Sequence, residues 1–192
     1  MIDKNIILNN KDLLQFNNFQ GFFDKIDESK RAEYAKFFYV DCNIDFLQFM
    51  NNIPNKLFYG ATYLKGLTIS ADFIGDEAFA NSSLIEIKVD SGCKSVGAGA
   101  FSRCSNLNNV VIEDGPKVLP SNVFYGCGAL SKVYLPKSVT FIKKGAFANC
   151  SDSVQIITPI DRSRMERLVI PGEEKEFFKS HVRRPKIDSN AM

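Results

Sequence analysis

Three cysteines raise the first chemical question. Cys104, Cys127 and Cys150 recur every 23 residues, and evenly spaced thiols could ligate a metal, form disulfides or react as nucleophiles. Zinc sites gather ligands onto one point from different directions, as C-x-x-C pairs do. A constant spacing of 23 gives one thiol per repeat, in a straight ladder. On parallel segments the Cβ atoms would lie about 5 Å apart, beyond the ~3.8 Å that a disulfide prefers. Buried free thiols acting as small apolar groups are therefore expected. Cys42 and Cys93 have no partner in this register and imply no pairing. Unpaired thiols suit a reducing compartment.

The remaining candidates for chemistry are sparse. His181 is the one histidine and has no Cys, Asp or Ser at a recognisable motif spacing, so a locally hydrogen-bonded surface role is expected. Gly97-Ala98-Gly99 suggests a phosphate loop, but it lacks the further glycine and the Lys-Ser/Thr pair that such a loop uses. Asp72, Asp76, Glu77, Glu86 and Asp90 fall near turns without forming a D-x-D-x-D-G calcium loop. No catalytic constellation, metal or cofactor is expected.

Composition narrows the classes further. The 192 residues are 45% hydrophobic and 24% charged with a net charge of +2. These are the proportions of an ordinary globular domain, and they give no electrostatic case for nucleic acid. The longest run without a charge, Val118 to Ser131, has 14 residues, short of the roughly 20 that a spanning helix needs. The opening MIDKNIILNN has no basic n-region. A cytoplasmic location is the expectation, with a secreted or surface location as the alternative if a signal segment has been removed. Phenylalanine is abundant, with 17 residues, and tryptophan is absent.

The phenylalanines explain themselves once the elements that must hold these residues are considered. Leu84, Leu107 and Leu130 share the 23-residue spacing, and so do Phe101, Phe124 and Phe147. Each unit reads Leu-x-x-[Ile/Val]-x-[Ile/Leu/Val], a turn, an apolar position and [Ala/Val]-Phe-x-x-Cys. An earlier unit runs from Leu64 to Phe79, a degenerate one lies near 41–63, and Val154 to Ile157 resembles one more strand. A unit this short cannot bury its own apolar face, whereas stacked units share a continuous core. The alternating apolar positions predict a short inward-facing strand, and equivalent strands about 4.8 Å apart form a parallel sheet. Phe on the return arm fills the interior.

Ser138-Val139-Thr140-Phe141-Ile142-Lys143-Lys144-Gly145-Ala146-Phe147-Ala148-Asn149-Cys150 resembles the BspA-type, or treponemal-type, leucine-rich repeat. Its departures are Lys143 for the usual Gly, Leu119-Pro120 for Ile-Gly, and the missing Cys after Phe58 and Phe79. The resemblance implies an α/β solenoid, a right-handed leucine-rich repeat coil with short parallel strands that acts as an interaction scaffold. Three regions are expected: an N-terminal helical cap at 1–40, a solenoid of about four to five units at 41–160, and a charged C-terminal cap and tail at 161–192. In the cap, Phe22 to Phe38 reads as one amphipathic helix with Phe23, Ile26, Tyr34, Phe37 and Phe38 near one stripe. In the tail, Glu173 to Arg183 reads as a short helix, and Arg183-Arg184-Pro185-Lys186 as a solvated basic cluster.

What remains for function is surface. The outward strand positions are Glu86, Lys88 and Asp90 in one coil, Asn109, Val111 and Glu113 in the next, and Lys132 and Tyr134 in the one after. Tyrosine is a frequent interface anchor. The leading expectation is a non-enzymatic module that binds another protein through this face. The alternatives are a surface or secreted adhesin recognising host protein or glycan, and an inhibitor or accessory subunit of a nucleoprotein complex. Nucleic acid itself is disfavoured as a partner.

Overall fold

The computed structural model describes residues 19–36, 47, 50–161, 163, 164, 167 and 180–183. Two helices come first, α1 (Phe19–Lys25) and α2 (Glu28–Lys36). The single helix expected over Phe22 to Phe38 is divided at Asp27, whose carboxylate accepts the Ser29 N–H at 2.9 Å. That is the bond by which an N-cap starts a new helix. Phe22 of α1 meets Tyr34 of α2 edge-on, with ring centres 5.4 Å apart, and meets Phe23 of its own helix edge-on at 5.3 Å. Phe37, Phe38 and Cys42 lie outside the described residues.

The repeats then wind as stacked coils. One sheet takes a strand from each: β2 (Gly66–Ile69), β4 (Glu86–Val89), β6 (Asn109–Ile112), β8 (Lys132–Tyr134) and β10 (Gln155–Ile157), all parallel and in that order. Register is conserved from coil to coil: Ile87 faces Val110, Val110 faces Val133, and Val133 faces Ile156. The strict alternation in these strands sends one column inward, where Ile87, Val110, Val133 and Ile156 are buried. The tail supplies a sixth strand, β11 (Val182–Arg183), parallel to β10. The helix expected to reach Arg183 thus gives way at Val182 to the sheet, where Val182 packs on the core.

A second row of two-residue strands follows the turns. Here β1 (Asn52–Ile53), β3 (Phe73–Ile74) and β5 (Ser95–Val96) form one sheet, while β7 (Val118–Leu119) and β9 (Phe141–Ile142) form another. The interruption has a chemical cause. Gly75, Gly97 and Lys143 each donate their N–H to the preceding coil, to Ile53, Ile74 and Leu119. The equivalent residue of the coil between is Pro120, which has no N–H to give.

The return arms carry Phe58, Phe79, Phe101, Phe124 and Phe147, all buried. Their ring centres lie 5.2, 5.4, 5.8 and 5.5 Å apart from one coil to the next, the first three pairs stacked and the last, Phe124 with Phe147, tilted by 31°. These arms are turns and contain no α-helix. Each has positive φ two residues before and two residues after its Phe: Lys56 and Gly60, Glu77 and Asn81, Gly99 and Arg103, Asn122 and Gly126, Gly145 and Asn149. The left-handed turns point alternate N–H groups along the stack. Glu77, Phe79 and Asn81 donate to the carbonyls of Ala98, Ala100 and Ser102, and Gly99, Phe101 and Arg103 to those of Ser121, Val123 and Tyr125. Strand sheet and return arm therefore both bind coil to coil through backbone.

Candidate functional site

The solvent side of the six-stranded sheet forms straight columns, because parallel pairing repeats the register at every coil. The first column is Gly66, Glu86, Asn109, Lys132 and Gln155, and the second is Thr68, Lys88, Val111, Tyr134, Ile157 and Arg183. Glu86, Lys88, Lys132 and Tyr134 are exposed, while Asp90, Asn109, Val111 and Glu113 are half-buried. All eight residues read from the sequence thus lie on or beside one face.

Charges on this face are largely satisfied locally. Lys88 Nζ lies 2.9 Å from Glu113 Oε1 and 3.3 Å from Asp90 Oδ1. Hydrogen bonding to Glu113, then to Asp90, raises the lysine above its ordinary value. Asp90 accepts the Ser70 hydroxyl at 2.6 Å, and that bond, followed by Lys88, holds its carboxyl below the usual range. Glu113 Oε2 also accepts the Ser91 N–H at 3.2 Å. This network fixes the side chains of three neighbouring coils. Beside it, Gly66 has no side chain, and a shallow depression opens between Thr68, Glu86, Lys88 and Asn109.

Toward the other end the face turns apolar. Tyr134 is 40% exposed, flanked in its column by half-buried Val111 and Ile157. Sequence reading stopped at Tyr134 and missed Gln155, Ile157 and Thr68. Adding one period to Lys132 and Tyr134 reaches Gln155 and Ile157. Thr68 escapes because the spacing from coil two to coil three is shorter than 23.

The thiols do structural work. Cys104, Cys127 and Cys150 each donate Sγ–H to the carbonyl of the Phe in the preceding coil, at Phe79, Phe101 and Phe124, over 3.1, 3.2 and 3.1 Å. Ser82 holds the equivalent place one coil earlier, with its Oγ 3.3 Å from Cys104 Sγ. Burial pushes the Cys127 thiol well up and the Cys150 thiol up to about 11, which opposes thiolate chemistry. Cys93, outside the register, is buried and donates to Ser95 O at 3.4 Å. The four described cysteines are free thiols.

The other candidates are likewise occupied. In Gly97-Ala98-Gly99 the three N–H groups go to Ile74 O, Asp76 Oδ1 and Ser121 O, so the segment offers no cradle for phosphate. A Cβ on Gly97 would fall 2.4 Å from the Gly75 backbone, so glycine here serves the close approach of two coils. Asp72 pairs with Lys94 at 2.7 Å. His181 bridges Ser180 Oγ and the Asp152 carbonyl, each at 2.7 Å, fastening the tail to the last strand turn. Among the described residues no three His, Cys, Asp or Glu converge on one point, and no helix is long and apolar enough to cross a membrane. Arg184 to Lys186 lie outside the described residues.

A family model described as a BspA type leucine rich repeat region matches residues 33–161 in six copies. Two crystal structures show limited similarity, both at 24% identity. One is a leucine-rich repeat protein from Bacteroides ovatus ATCC 8483 (TM-score 0.44), where the match covers 57% of this chain and 31% of the other. The other is a leucine rich cell surface protein from Faecalibacterium prausnitzii A2-165 (TM-score 0.41), with 54% and 34% covered. The chain thus spans about a third of the length of each. No curated protein shows significant sequence similarity to it.

Proposed function

Because the chain belongs to the BspA-type leucine-rich repeat family, we propose that it is a non-enzymatic module that holds another protein on the exposed face of its six-stranded sheet. The observation that carries this reading is the pair of in-register columns, whose residue changes at every coil while the backbone beneath does not. Val111, Tyr134 and Ile157 form the apolar strip of that face. The Lys88–Asp90–Glu113 network, with Glu86 and Lys132, supplies a polar margin. An apolar centre within a polar rim is the usual anatomy of a protein interface. Backbone pairing holds these side chains in place before a partner arrives, which lowers the ordering cost of association.

Affinity capture from the native source at physiological salt, comparing the natural chain with an E86A/K88A/K132A/Y134A variant, tests the face. Loss of one defined partner from the variant, and recovery of that partner's binding with purified components, is the expected outcome. Equal capture by both would reject the sheet face as the site. Fractionation of native cells decides where the module works, since an intact cell-surface pool would place it among adhesins and a cytosolic pool would not.

A further inference from the structure

We propose that the outer side of the return arms is a second binding site, and that its ligand is a short neutral saccharide. This inference does not rest on the sheet-face reading, since it concerns the opposite structural element. The position after Phe58, Phe79, Phe101 and Phe124 holds Tyr59, Ala80, Ser102 and Tyr125, of which Tyr59 is exposed, Ser102 and Tyr125 are half-buried and Ala80 is buried beneath them. Two small residues between two tyrosines leave a trough that crosses three coil-to-coil spacings, about 15 Å at the usual strand spacing. Its volume is about 330 Å³, at the small end of ligand pockets, which run from about 300 to 1,000 Å³.

The walls are polar and electrically balanced. Glu77 and Asn122 line one side, and Asn81 and Arg103 the other. A carboxylate, two amides and a guanidinium offer both donors and acceptors to a ligand rich in hydroxyls. Glu77 and Arg103 oppose each other in charge, and Lys56, 4.0 Å from Glu77, is itself paired with Glu28 at 3.0 Å, so the charges around the trough balance. At one end exposed Tyr59 offers an aromatic ring to the C–H side of a sugar, and at the other Tyr125 closes the trough with one ring face covered by Arg103. The floor is made of small residues, Ala80, Ala98, Gly99 and Ser102.

The trough is also built to hold its shape. Asn149 Nδ2 donates to Tyr125 Oη at 2.9 Å, and the Arg103 guanidinium lies over the Tyr125 ring, 5.9 Å from its centre. Tyr59 is 42% exposed. Glu77, Asn81, Arg103 and Asn122 all have positive φ, a conformation that costs a residue with a Cβ. Glycine fills equivalent places at Gly60, Gly99, Gly126 and Gly145, so the fold accepts it there. Of the six non-glycine residues with positive φ among the described residues, four line the trough and a fifth, Asn149, holds Tyr125.

Titration of the isotopically labelled full chain with maltotriose, cellotriose, xylotriose and chitotriose, read by amide chemical shifts, tests the proposal. At least one sugar is expected to give saturable shifts at residues 80–81, 102–103 and 125. Tyr125→Ala and Arg103→Gly should each weaken that binding by tenfold or more. Glycine at 103 keeps the positive φ, so this variant remains informative if Tyr125→Ala perturbs folding; circular dichroism checks both. Tyr134→Ala, on the sheet face, should leave the shifts unchanged. The proposal is overturned if all four sugars give no saturable shifts, if the shifts map to the sheet, or if both folded variants bind as the natural chain does. Equal shifts from an uncharged Ala-Ser-Gly peptide would overturn the saccharide assignment.

Discussion

The strand sheet and the return arms join the same coils, but they treat side chains in opposite ways. On the sheet's outer column every coil differs: Gly66, Glu86, Asn109, Lys132 and Gln155 stand in register. In the arm's inner column every coil agrees, with Phe58, Phe79, Phe101, Phe124 and Phe147 stacked ring on ring. An enclosed column must accept the shape of its neighbours above and below, which constrains it to Phe in the arm and to Ile or Val in the buried column of the sheet. An outward column meets only solvent or a partner, so it is free to vary. Repetition therefore marks what holds the solenoid together, and variation marks where it can recognise something.

The sharpest way to break the contrast is to remove one member of the repeating column. Phe101→Ala deletes a ring stacked between Phe79 and Phe124 and should cost about 3–5 kcal/mol, a large share of the 5–15 kcal/mol typical of a domain. Urea unfolding followed by circular dichroism checks it. Because each coil contacts chiefly its neighbours, a broad or two-step transition would show the stack separating at the third coil.

The thiols give a smaller effect with a defined direction. Cys93 and Cys150 have acidities shifted by burial from about 9 to about 11, so the folded state keeps their protons longer than the unfolded chain does. Their contribution is therefore complete below pH 9 and declines as pH rises from about 9 toward 11, by up to about 1.4 kcal/mol per pH unit for each thiol. Urea titrations at pH 7.5, 9 and 9.8 should show this fall. Cys150→Ala should make it shallower, and an unaltered slope would assign the fall to other groups.

The smallest effect belongs to the sheet face. Glu113→Gln removes one carboxylate from Lys88 but leaves Asp90 beside it, and exposed ion pairs contribute little. Thermal unfolding midpoints should stay within the scatter of replicate melts at low and high salt. A clear loss of stability would mean that the outer network is structural, and would blur the division between the two regions.

Much of this was legible because it is written as repetition. Leu107, Phe124 and Cys127 each occupy one column, and their 23-residue recurrence predicts the coil, the parallel sheet and the eight outward residues. The left-handed pairs of the arm are not legible in the sequence because backbone geometry, not side-chain type, unites them. Lys56, Glu77, Gly99, Asn122 and Gly145 share a φ sign and little else. The trough was hidden for a related reason: Tyr59 and Tyr125 are distant in sequence and become ends of one feature only when two coils are stacked between them. The division of the first helix turns on a single capping contact at Asp27, a local bond that a stripe of apolar residues does not reveal.

The one-way hydrogen bonding of the arms gives the array a sense of direction. Each arm offers N–H groups to the coil that follows and carbonyls to the coil that precedes, so its two ends are chemically unlike. At the first coil the Asn55 carbonyl, three residues before Phe58, meets Arg31 Nη1 at 3.4 Å, a cation in the place where an earlier coil would put its amide. A terminator for the opposite end of the arm must bring acceptors instead. The two caps of such a solenoid are therefore not exchangeable, and any copy added to the arm must join head to tail.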